Sequence, residues 1–293
     1  MVVLLAGFFK CKGADMNTTK ISKGFTLIEL LVVISIVALL LAILGPSLSK
    51  TREQVEETIC RSNLKQWALV FTLYAGDNEE SFPQSVAGNG VTAEDAWLLG
   101  ALLPYYEDLD LRDCASTEDT TAGRTPSEGN MGGTFTKWGP FPESVQGRQW
   151  WDTYATGSYG FNDWIADPPA GMTSFWGLSA AQAMRTTFEK DAHLIPMVFD
   201  SVWVEMAPRM TDMAPSDLEH AMDMYDADWN QDAMKFACID RHNGGINAAF
   251  VDMDVRHVGV KELWLLKWNK AWEKCDPPNA WPSWMDEYED YDW

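Results

Sequence analysis

One run of 20 residues, 25–44, holds only three polar members, Thr26, Glu29 and Ser35, and it limits what this chain can fold into more than any other stretch. As an α-helix rising ~1.5 Å per residue it reaches ~30 Å, the thickness of a bilayer's hydrocarbon core, so it predicts a transmembrane helix over 25–44. Glu29 sits inside that run, where a carboxylate is costly and normally has a partner. A suitable partner would be the positive charge of a new α-amine, made by cutting the chain just before Phe25.

The residues that carry this logic are Lys23-Gly24-Phe25-Thr26-Leu27-Ile28-Glu29. The segment resembles the processing site of type IV prepilins and type II secretion pseudopilins. The resemblance implies that a prepilin peptidase cleaves after Gly24 and that Phe25 becomes the N-methylated first residue. It further implies that Glu29 pairs with a neighbouring subunit's amine during assembly. Residues 1–24 are then a leader, with Met16 as an alternative start. By the positive-inside rule Lys20 and Lys23 ahead of the apolar run would hold the leader in the cytoplasm, with the domain on the far side; the resemblance implies an inner-membrane precursor that later enters a periplasmic or cell-surface filament.

The chain from residue 45 onward is long enough for one sizeable core. The formal charge of the whole chain is -21; residues 1–24 carry four Lys against one Asp, which leaves -24 from Phe25 onward. That surface excludes nucleic acid as a partner and favours calcium, basic proteins and neutral glycans. The 15 Trp serve either as core mass or as platforms for sugar rings, with core the default. Beyond Cys11 in the leader, Cys60, Cys114, Cys238 and Cys275 allow two disulfides in three connectivities, or four separate thiols. A Cys60–Cys114 bridge would tie the long helix to the domain.

After Gly45-Pro46, where a break or weak point is expected, residues 45–78 read as the amphipathic continuation of the same helix. Cys60, Leu64, Trp67, Phe71 and Tyr74 recur at steps of four and three, and Gly76-Asp77-Asn78 supplies the stop. Residues 79–293 form the globular part. Residues 115–147 read as a long surface insertion, 158–162 as a short strand or turn, 179–189 as a helix and 194–204 as a buried strand. Residues 236–258 predict three strands, with turns at Asn243-Gly244-Gly245 and at Asp252 to Asp254. A helix over 261–274 should carry Trp264, Trp268 and Trp272 on one face, ahead of a solvated acidic tail over 286–293. The fold class expected is α+β and pilin-like: a long N-terminal helix packed on a domain with an antiparallel sheet.

Four segments sharpen the resemblance: Cys60-Arg61-Ser62-Asn63-Leu64-Lys65-Gln66, Ser158-Tyr159-Gly160-Phe161-Asn162, Leu263-Trp264-Leu265-Leu266-Lys267-Trp268, and His242 followed by nine residues and Asp252. They are similar to recurrent segments of a prepilin-like group abundant in planctomycete and lentisphaeral bacteria, in which the Asp is followed by Gly. Here Met253 follows, which suggests a different turn type.

No catalytic set emerges from four His and no Gly-x-Ser-x-Gly, Walker or His-Glu-x-x-His pattern, so no enzyme is expected. His242 reads as a structural hydrogen-bonding residue. Asp226, Asp228, Asn230 and Asp232 alternate like the first half of a calcium loop, yet Gln231 replaces its Gly and Ala237 its bidentate Glu. That excludes an EF-hand and leaves a partial structural Ca2+ site or an acidic surface loop. The expected function is a filament subunit assembling with its own or other pilin-like chains. The alternative is a singly anchored, non-polymerising glycan-binding module.

Overall fold

The computed structural model describes residues 25–84, 101–119, 131–140, 156–175, 178–217, 233–273, 277, 280–288 and 290–291. Gly24, the calcium-type cluster Asp226, Asp228, Asn230 and Asp232, and Cys275 lie outside the described residues. The chain divides into two compact units, Met1–Ser49 and Lys50–Trp293.

Helix α1 runs Leu27–Asp77 without interruption and takes Pro46 into its interior. Pro46 has no N–H to give the carbonyl one turn back, so the helix passes through its expected weak point with one bond fewer. In the first unit its apolar side chains, Leu27 to Leu48, are all exposed, and the helix is long and apolar enough to cross a membrane. Ser35 donates to the Val32 carbonyl at 2.8 Å, so this hydroxyl is satisfied within the helix, as hydrocarbon demands.

In the second unit α1 buries Cys60, Leu64, Trp67, Ala68, Val70, Phe71 and Ala75. Four of these belong to the face read from the sequence, while Tyr74 is half-buried against Tyr105 at 5.7 Å. The Trp67 indole donates to the Leu111 carbonyl at 2.8 Å, and its ring meets Phe161 edge-on at 5.1 Å. The helix ends where the Ala75 carbonyl accepts from the N–H groups of Asn78 and Glu80, with Glu79 and Glu80 both left-handed.

The sheet has five strands in the order β5-β1-β4-β6-β7, comprising β1 (Tyr159–Asn162), β4 (Pro196–Asp200), β5 (Glu205–Met206), β6 (Gly245–Phe250) and β7 (Val255–Gly259). All neighbours are antiparallel except β1 and β5. A two-stranded ribbon, β2 (Ser174–Phe175) with β3 (Leu178–Ser179), lies apart from it. Strands β1, β4 and β6 are buried at every position, which explains their near-continuous apolar sequences. The fold is α+β, one long helix with a mostly antiparallel sheet.

Several local expectations are corrected. Of the helix expected over 261–274, the described residues 261–273 form no α-helix but a short 3-10 turn, Glu262–Leu265. The backbone N–H groups of Lys267 and Lys270 donate outward, to the carbonyls of Leu194 and Gln182. The indoles of Trp268 and Trp272 take the carbonyls of Leu263 and Trp264. Tertiary partners thus claim the groups a helix would have paired. Residues 179–189 likewise hold only the 3-10 turn Ala180–Gln182, with Ala166 N–H bonded to Met184 and Phe82 N–H to Arg185. Of the three strands expected over 236–258 two form; residues 236–242 instead leave the 3-10 turn Ala233–Phe236 and bend, so that the N–H groups of Arg241 and His242 both reach the Gly245 carbonyl.

The β6–β7 hairpin keeps a left-handed residue at its turn although Gly is absent: Met253 adopts φ 67. It tolerates this because α1 holds it at two points, Lys65 Nζ donating to its carbonyl at 2.5 Å and the Thr72 hydroxyl lying 3.2 Å from its sulfur. The insertion over 115–147 is not all surface, since Trp138 is fully buried and donates to the Tyr159 carbonyl at 3.0 Å. Gly157 makes room for it; a Cβ there would lie 2.4 Å from the Trp138 ring. Just ahead of the tail the chain docks, with Met285 buried and the Trp284 indole on the Pro215 carbonyl, while Asp286, Glu287 and Asp290 of the tail are exposed, Asp290 pairing with Lys261.

Candidate functional site

Helix α1 opens on a reciprocal cap. Thr26 precedes the first helical residue, and its hydroxyl accepts from Glu29 N–H at 3.3 Å. Glu29 reaches back to take the Thr26 N–H at 2.9 Å and the Thr26 hydroxyl at 2.7 Å. This is the Thr-x-x-Glu capping box, in which two of the helix's orphan N–H groups are satisfied by the sequence itself. The carboxylate also lies in the first turn, where the helix dipole favours negative charge. Both of its bonds end on Oε2, so among the described residues Oε1 is left for a second donor. Phe25 stands just ahead of the cap and is exposed. Thus Phe25 and Glu29 lie at one helix end, as the sequence predicts.

Residues 19–45 match a family model described as the prokaryotic N-terminal methylation motif. The chain is also 42% identical over 57 residues to the type IV wide pilus major component PilA4 of Thermus thermophilus. Over these N-terminal residues the chain is similar to type IV pilins. The alignment covers 20% of this chain and 44% of that relative, so the chain spans less than half the length of the curated protein it matches. No solved structure matches. The family-model match ends at residue 45, and the His242 to Asp252 block keeps its resemblance on its own residues only.

A second constellation lies inside the domain. Cys60 from α1, Cys114 after the 3-10 turn Leu109–Arg112, Asp200 at the end of β4 and His242 before β6 are all buried, with their donor atoms within 4.8 Å of one another. Cys60 Sγ lies 3.6 and 3.5 Å from the two Asp200 oxygens, Cys114 Sγ lies 3.4 Å from His242 Nε2, and His242 Nε2 lies 3.1 Å from Asp200 Oδ2. Arg241, fully buried, donates to Asp200 Oδ1 at 3.0 Å and to the carbonyls of Thr134, Ser158, Gly133 and Ser201. Asn247 N–H donates to Asp200 Oδ2 at 2.9 Å.

These contacts set the charges. Burial works against the Asp200 carboxylate, but the His242 hydrogen bond and the Arg241 guanidinium hold its pKa well below the usual carboxylate range. Burial also opposes a charged His242, and the hydrogen bonds to Asp200 and Cys114 overcome it and raise its pKa to about 10. The Cys60 hydrogen bond, with His242 and Arg241 assisting against burial, lowers Cys114 to about 6, while burial and the Cys114 and Asp200 charges push Cys60 up.

Cys60 and Cys114, the expected bridge, are brought together as free thiols, and Cys238 is a free buried thiol whose pKa burial pushes up. Asp200 does not stand out in the sequence, one acid among 43 Asp and Glu. The available signal was a charge inside the apolar stretch Ile195 to Val204, since a carboxylate in a fully buried strand needs dedicated partners.

Proposed function

We propose that this chain is a structural subunit of a type IV pilus-like or type II secretion pseudopilus-like filament, cleaved after Gly24 and N-methylated at Phe25. The observation that carries the reading is Glu29: a carboxylate within a helix of membrane-spanning character, capping its own helix through one oxygen. Its other oxygen is suited to the amine of a neighbouring subunit, whose charge would compensate a carboxylate otherwise stranded in hydrocarbon. The methylation motif and the PilA4 similarity support the same assignment. The partners are further pilin-like subunits, identical or different, the prepilin peptidase, and the inner membrane that stores the precursor.

Helix α1 adds support. Besides the face buried in the domain it carries Val55, Ile59, Leu69 and Leu73, all exposed, which fall within a sector of about 80° at 100° per residue on the opposite side. An apolar row of this kind suits packing against the same helix of another subunit. The work of the chain is polymerisation and display rather than catalysis. A singly anchored glycan-binding module gains little support, because Trp67, Trp138, Trp164, Trp264 and Trp268 are fully buried and serve as core.

The test is mass spectrometry of sheared surface material together with the Glu29→Ala variant. Mature protein should begin with N-methyl-Phe25. The variant should be cleaved yet absent from filaments. Surface protein with an intact leader, or normal filaments from Glu29→Ala, would overturn the assignment.

A further inference from the structure

We infer that Cys60, Cys114, Asp200 and His242 form a structural site for one borderline-soft divalent metal ion, with Zn2+ the natural occupant, which pins the long helix to the sheet domain. The inference stands apart from the filament reading and holds whether or not the chain polymerises.

Donor geometry is the first argument. Zinc–sulfur bonds of ~2.3 Å and zinc–nitrogen or –oxygen bonds of ~2.0–2.2 Å give a tetrahedron with edges of roughly 3.3–3.8 Å. The separations here are 3.5 Å for Cys60 Sγ to Asp200 Oδ2, 3.4 Å for Cys114 Sγ to His242 Nε2 and 3.1 Å for His242 Nε2 to Asp200 Oδ2. Every separation in the set is within 4.8 Å, so small side-chain rotations close the site. Two thiolates, one imidazole and one carboxylate suit zinc, whereas calcium and magnesium take oxygen ligands.

Charge is the second argument. A Zn2+ ion with two thiolates, the Asp200 carboxylate, a neutral imidazole and the Arg241 guanidinium sums to zero, which a buried site requires. The cysteines bind as thiolates and His242 as the neutral imidazole, so binding releases protons. Arg241 stays on Oδ1 and Asn247 N–H stays on Oδ2, so the ligating carboxylate keeps outer partners that fix its orientation, as metal-bound carboxylates usually have.

The four ligands come from sequence-distant segments and all are buried, so the ion enters as the domain folds and closes the joint between α1, β4 and the segment before β6. The experiment uses the full-length chain in detergent, purified without a polyhistidine tag or chelator and assayed for metal by elemental mass spectrometry. About one zinc per chain is expected, with loss of at least four-fifths of it in Cys114→Ser and in His242→Gln and full retention in Cys238→Ser. Cobalt loading of the wild-type chain supplies a measurement independent of variant folding: a tetrahedral visible spectrum with thiolate-to-cobalt charge transfer. Wild-type protein that takes up neither zinc nor cobalt after reduction would overturn the site. So would a Cys60–Cys114 disulfide in mass mapping of exported protein, or unchanged zinc content in both ligand variants.

Discussion

Replacing Arg241 by Met keeps a long unbranched stem in place and removes a guanidinium all five of whose hydrogens are engaged, one by Asp200 and four by backbone carbonyls. Two of those carbonyls, of Ser158 and Gly133, also accept from the N–H groups of Ser201 and Thr136; those of Thr134 and Ser201 lose their guanidinium donor. Both partners of the ion pair have fully buried side chains, so solvent cannot replace what is lost. Removing one side of such a pair costs ~3–5 kcal/mol, and an unsatisfied buried carbonyl adds ~1–3 kcal/mol. A total near 5 kcal/mol is a large share of the ~5–15 kcal/mol that holds a domain together. At roughly 2–4 °C per kcal/mol for a domain of this size, the melting temperature should fall by ~10–20 °C. Arg241→Lys should lie between Met and wild type, since it keeps the charge without the fork. Urea unfolding of the full chain in detergent micelles, followed by Trp fluorescence, measures both. Arg52→Met, which removes the exposed helix pair with Glu56, should leave the midpoint where it is. A loss below ~1 kcal/mol for Arg241→Met would refute the claim that this buried pair organises the joint between strands and helix.

Asp163 gives a pH prediction of definite sign. Burial raises its carboxyl to about 8 beside Glu205, which burial and the Asp163 charge push up as well. A folded pKa above the unfolded value means the contribution is fully present below pH ~4 and is lost as pH rises toward 8, by up to ~1.4 kcal/mol per pH unit. Asp163→Asn should flatten the decline in urea midpoint between pH 5 and 8; an unchanged slope would show that this group does not titrate in that window. For Asp226, Asp228, Asn230 and Asp232 the expectation is that millimolar calcium raises the melting temperature more than magnesium does, by about 2.7 kcal/mol of stability at saturation a hundredfold above Kd. An equal calcium response in Asp228→Ala would return that cluster to ordinary acidic surface.

The sequence by itself determined the helix start, the apolar run and the face of α1 that meets the domain, because each is a local property. Thr26 and Glu29 are three residues apart and cap the same turn, and Cys60, Leu64, Trp67 and Phe71 share a face by helical period alone. Local signals also placed the cores of β4 and β6, whose continuous burial writes a largely apolar sequence broken only by Asp200 and Asn247. Only the tertiary structure decided the rest. The expected helix over 261–274 failed because the carbonyls of Leu194 and Gln182, distant in sequence, outcompete its internal bonds. Met253 took a conformation that sequence assigns to Gly because α1 holds it there. The Cys60, Cys114, Asp200 and His242 cluster joins residues as much as 182 positions apart, a proximity that exists only after the sheet has paired and the helix has docked, since neither spacing nor period encodes contacts made across strands.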